Sequence, residues 1–136
     1  MPTPDDVPQG GERTRTCVLW EDRVIRGRFL AGAEVTLDDA RENIAVTSRL
    51  TGGKQRPVLV DLRQVRSQSA DARAYLAGPD ATRVSLAVAL LISSPLSRAI
   101  GNFYLGFNRP EVPTRLFTNE DSAIAWLVAQ EEAASR

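Results

Sequence analysis

Short apolar runs alternate along this chain with polar segments whose apolar positions recur at helical spacing. Residues 16–20 and 23–29 read as two strands joined by a Glu21-Asp22 turn, with Val24, Arg26 and Arg28 alternating against Ile25, Gly27 and Phe29. Gly27, inside the second strand, marks a bulge or a close backbone approach. Thr36 with Asp39 three positions on is a capping-box-like helix start. Leu37, Ala40, Ile44 and Thr47 then repeat at helical spacing until Gly52-Gly53 ends the helix.

Residues 58–62 form the next predicted strand. Ser69 caps a helix that begins at Ala70-Asp71 and runs to Leu76, where Gly78-Pro79 breaks it before a further turn reaching Arg83. Residues 86–92 are seven consecutive apolar positions, the pattern of a central strand covered on both faces. Ser94-Pro95 opens a third helix with Leu96, Ile100, Phe103 and Phe107 on one face as core, Leu105 opposite, and Asn108-Arg109-Pro110 as the stop. Residues 114–117 are a last strand. A terminal helix starts at 118–121 and turns Ile124, Leu127 and Val128 inward, with Trp126 on the flank of that stripe. The order is β-β-α-β-α-β-α-β-α. Every later strand returns through a helix of crossover length, so the expectation is a mixed, mostly parallel α/β sheet with four helices and an antiparallel hairpin at one edge.

At 136 residues the chain makes one domain, able to bury about two thirds of its unfolded surface. Residues 1–15 are polar and rich in Pro and Gly without an apolar core segment, and read as a flexible tail and not a signal peptide; 16–130 is the domain and 131–136 a frayed end. Seventeen basic and seventeen acidic residues cancel, which removes the global electrostatic case for nucleic acid or an anionic membrane. No apolar run approaches the ~20 residues of a membrane span, and the expected location is the cytoplasm. There is no histidine, so triads, Cys-His pairs, histidine metal sites and a histidine base are excluded together. The lone Cys17 sits in an apolar run and reads as a buried, inert thiol; no metal and no cofactor are expected.

The element order, the size, and Val60-Asp61-Leu62-Arg63-Gln64-Val65 at a strand-to-helix junction resemble STAS domains, the SpoIIAA-like fold of bacterial anti-anti-sigma factors. The closing stretch from Arg115-Leu116-Phe117 through Trp126-Leu127 is similar to small stand-alone bacterial STAS/CRAL-TRIO-like proteins. In the anti-anti-sigma factors a kinase phosphorylates a Ser at the start of the second helix. Aligning the Asp-Leu-x-x-Val stretch puts Ala70 on that position and Ser69 on the acid before it, so the usual switch has no hydroxyl here. The resemblance implies a non-enzymatic regulatory or protein-interaction module. The alternative is a small-molecule or lipid-binding domain, because the related CRAL-TRIO fold encloses hydrophobic ligands.

Several motifs reduce to structure. Gly52-Gly53-Lys54 is not a phosphate loop, since Gln55 replaces Ser/Thr, Ser48 replaces the first Gly, and a helix precedes it. The acid pairs Asp38-Asp39 and Glu120-Asp121 complement helix starts. The residues without an apolar reason for their place are Arg66, Ser67, Ser69, Ala70, Asp71 and Arg73, with Ser93 and Ser94 on the same sheet edge. They are the expected partner-binding rim, and hydroxyls without a base make it a binding surface and not a catalytic one. A symmetric homodimer is expected from base rate, with Leu105 and Trp126 as surface candidates.

Overall fold

The computed structural model describes residues 6–103 and 111–136. Six strands, β1 (Glu12–Arg13), β2 (Cys17–Asp22), β3 (Val24–Phe29), β5 (Arg56–Asp61), β7 (Ser85–Leu91) and β8 (Thr114–Phe117), form one sheet in the order β1-β2-β3-β5-β7-β8. β1, β2 and β3 pair antiparallel, and β3, β5, β7 and β8 pair parallel. The helices are α1 (Leu37–Thr51), α2 (Ala70–Leu76), α3 (Pro79–Thr82), α4 (Pro95–Phe103) and α5 (Glu120–Ala134). α3 is the short turn that Gly78-Pro79 splits from α2, so the expected order holds. A second, two-stranded parallel sheet of β4 (Glu34–Val35) and β6 (Ser67–Gln68) was not expected, because two-residue strands are too short to show alternation.

Two apolar layers clamp the main sheet. On one side Ala87 and Ala89, fully buried on β7, let α5 approach closely with Ala123 and Leu127, beside Val24 and Leu59. Burying a side chain such as Leu127 stabilises by about 1.5–3 kcal/mol. Ile124 packs at the margin of this layer, and the Trp126 ring lies 5.6 Å from that of Phe117. Trp126 is therefore the flank-packing residue its position suggested. On the other side Leu19, Phe29, Leu62, Leu90 and Ile92 meet Ala40, Val46, Ala72 and Ile100 from the helices.

The local signals at helix starts are built as read. Thr36 and Asp39 make a full capping box on α1, Ser69 accepts from Ala72 N on α2, and Gly52 closes α1 in the left-handed region at φ 65°. The departures lie elsewhere. The β2–β3 turn falls on Arg23 (φ 62°) instead of Glu21-Asp22, because cross-strand pairing continues through Glu21↔Ile25 and Asp22↔Val24. The carbonyl of Arg23 is held there by Arg56 Nη2 at 3.1 Å. Gly27 sits in regular register opposite Leu19 with no bulge, and what approaches it closely is the Leu19 side chain.

The stretch read as a tail contributes β1 and a buried threonine, Thr14. At the other end α5 continues through Glu131, which was read as frayed, because its carboxylate accepts from Arg23 at 2.7 Å and Arg56 at 3.3 Å. Leu96, expected in the core, is 47% exposed, while Ser97 is fully buried. The inward face of α4 is thus Ser97, Ile100 and Gly101, the last so close to β8 that a Cβ would stand 2.6 Å from Leu116 Cδ2. Leu105, Phe107, the Asn108-Arg109-Pro110 stop and the side chain of Phe103 lie outside the described residues.

Candidate functional site

In an open parallel sheet, strands that end side by side expose loop side chains at their carboxyl ends, and ligands are met there. Here β3, β5 and β7 end together. Arg28 and Asp61 are register partners on neighbouring strands, and with Arg63, Gln64 and Ser93 they line a cleft floored by Phe29 and Leu30. Asp61 accepts from Arg63 three times, from the backbone N at 3.0 Å, Nε at 3.0 Å and Nη2 at 2.8 Å. This fork-to-carboxylate pairing holds the Arg63 guanidinium even more firmly protonated than usual, chiefly through the hydrogen bond. Arg28 lies over the Trp20 ring at 5.1 Å. On the α5 side Arg26 pairs with Glu120 at 3.1 Å, extending the same polar face.

Ser93 closes the cleft on the β7 side, and Ser94 beside it opens α4 through a reciprocal cap. Ser94 Oγ accepts from Ser97 N at 3.0 Å, and Ser97 Oγ accepts from the backbone N of Ser93 and Ser94, both at 3.0 Å. The cap draws Ser97 inward and turns Leu96 out to solvent beside the two serines. A Ser-x-x-Ser spacing before a helix is the signal that could have found this, since it competes with Leu96 for the inward face.

The rest of the expected rim lies outside the residues that line this cleft. Ser67 lies in β6 paired with Glu34, and Arg66 reaches the Glu34 carboxylate at 3.7 Å. Arg73 Nη1 donates to Gln68 O at 2.6 Å. Ser69 caps α2 and donates to Asp71, whose carboxyl that bond holds below its ordinary range. Ala70 is exposed. Among the described residues the cleft takes Ser93 but none of Arg66, Ser67, Ser69, Ala70, Asp71 and Arg73. Arg28 and Gln64, which the sequence reading does not single out as rim residues, join Ser93 in the cleft at the strand ends. Among the described residues, no group of three or more Cys, Asp and Glu is placed to hold a metal ion, and no helix is long and apolar enough to cross a membrane.

A family model described as a domain of unknown function, DUF7793, matches residues 18–130. The chain is similar in structure to an uncharacterized protein of the DUF3478 family with a SpoIIAA-like fold from Shewanella loihica PV-4. That crystal structure gives a TM-score of 0.55 at 18% identity, over 87% of this chain and 90% of that one. A protein with unknown function from Arthrobacter sp. FB24 is 32% identical over 76% of this chain and 86% of its own, at a TM-score of 0.31. No curated protein matches the chain. At that identity the Shewanella likeness shows the fold alone, and the fold is SpoIIAA-like.

Proposed function

The chain belongs to the DUF7793 family of domains of unknown function, and from that premise we propose that it is a non-enzymatic protein-interaction module. Its partner docks on the rim at the carboxyl ends of β3, β5 and β7. The observation that carries this reading is the cleft itself, where Arg28, Ser93 and the Asp61–Arg63 ion pair stand beside Phe29 and Leu30, with Leu96, 47% exposed, three residues past Ser93 in the chain. Apolar side chains beside arginines and a carboxylate compose a recognition surface, where the apolar part supplies affinity and the charges supply register. Two features support the non-enzymatic part of the reading. The Ser97 proton is spent on Ser94 O at 3.1 Å, and the chain has no histidine to act as a base.

The patch around Arg66, Ser67, Ser69, Ala70, Asp71 and Arg73 forms the outer part of this docking surface. With Ala at the position where related folds carry a phosphorylated Ser, docking here is constitutive. The test compares recovery of host proteins by tagged wild type, Leu96→Asp, and the Arg66→Ala/Arg73→Ala pair, with melting curves for each. A protein retained by wild type and lost by folded Leu96→Asp supports the reading. Identical recovery by that folded variant removes it, and identical recovery by the double variant confines the surface to the strand-end cleft.

A further inference from the structure

The sheet face opposite α5 is not filled to its helices. Between it and α1 and α3 lies a cavity of about 90 Å³. Leu19, Val58, Val60, Val88 and Leu90 form its floor and Ile44 part of its roof. Gly27 helps to open it, since a Cβ there would press on Leu19 Cδ2 at 3.1 Å and face Cys17 Sγ at 3.6 Å.

The polar lining decides what can enter. No charged side chain lines the cavity among the described residues. Thr47 donates to Asn43 O at 2.8 Å, Ser85 to Ala81 O at 2.8 Å, Thr82 to Pro79 O at 3.1 Å and Thr114 to Val112 O at 3.0 Å. Each of these hydroxyls has spent its proton on the chain's own backbone. The Asn43 amide is taken up by Thr14 and Thr16, and among the described residues the buried Gln68 amide is the one other polar side chain of the wall besides the Cys17 thiol. A charged ligand would lose its hydration without a counter-charge, and a polar one would leave groups unsatisfied. Water needs two to four polar partners and finds few against these walls, whereas apolar cavities on the order of 150 Å³ stay dry and take up benzene or xenon.

We propose that this cavity binds a small, uncharged, apolar molecule of ring-hydrocarbon or branched-alkyl size. The site shares Phe29 with the strand-end cleft, but the proposal does not rest on what docks there. The test uses the full chain with labelled methyl groups, titrated with benzene, benzoate and benzylamine. Saturable shifts at the methyls of Val60, Val88 and Leu90 are expected with benzene and not with its two charged relatives. Ala81→Leu, which narrows the cavity, is expected to weaken benzene at least tenfold, with Val88→Phe as a second filling variant if the first does not fold. The proposal is overturned by the absence of saturable benzene shifts in wild type, by equal shifts from benzoate, or by unchanged affinity in a folded filled variant.

Discussion

Arg15 reaches from the chain before β2 to Asp39 in the first turn of α1, its Nε 2.7 Å from Oδ1, while Nη2 donates to Glu34 O at 3.0 Å. Asp39 is 5% exposed and also accepts from Thr36 N and Thr36 Oγ1, both at 2.9 Å. One carboxylate therefore serves as capping-box partner and as the anchor that ties the N-terminal segment to the helix. The Arg15 hydrogen bond is the largest reason that its pKa falls to about 2 from an ordinary 3.8.

A folded-state pKa depressed in this way contributes stability that is fully present above about pH 3.8 and is lost as pH falls towards about 2. Because Arg15 is 62% exposed, solvent screening keeps the contribution small. Arg15→Ala is expected to lower the melting temperature at pH 7 and to flatten the acid limb of stability between pH 4 and 2. Parallel acid limbs in wild type and variant would show that Asp39 draws nothing from this pair.

Gly11 lies against β2, where an added Cβ would meet Leu19 O at 2.8 Å and Trp20 Cβ at 2.9 Å. Neither atom sits at the end of a flexible side chain, so the backbone must give. Gly11→Ala is expected to cost about 1–3 kcal/mol in chemical denaturation, the range of an overpacked site. Gly32→Ala, at a position with open space but φ 75°, separates backbone strain from crowding.

Glu131 pins the last turns of α5 to the hairpin through Arg23 and Arg56, and the Arg23 hydrogen bond is the main cause of its lowered pKa. Glu131→Ala is expected to change global stability by less than about 1 kcal/mol, as for other partly exposed pairs. Its local signature is faster amide exchange over 131–134, and exchange equal to wild type would mean that apolar packing alone holds the helix end.

Cys17 is 2% exposed, and burial pushes its thiol pKa well above the ordinary value. Iodoacetate is expected to label it only as fast as the chain unfolds, which mass spectrometry against denaturant follows directly. Immediate labelling of the folded chain would place the thiol at the surface.

What the chain determines locally is legible in one dimension. The Thr36–Asp39 box, the Ser69 cap, the Gly52 stop, the Gly78-Pro79 break and the apolar run in β7 each depend on neighbours within a few residues, so spacing alone reveals them. From these the element order and the mostly parallel sheet follow. The tertiary structure decided what depends on distant partners. Arg23 takes the hairpin turn because Arg56 and Glu131 hold it, and Glu131 stays helical for the same reason. β4 and β6 exist only as each other's partners. Leu96 faces water because Ser97 closes a cap with Ser94 and takes the inward face of α4. The opening of a cavity above Gly27 arises from how layers meet, and an interlayer gap leaves no trace in the order of residues.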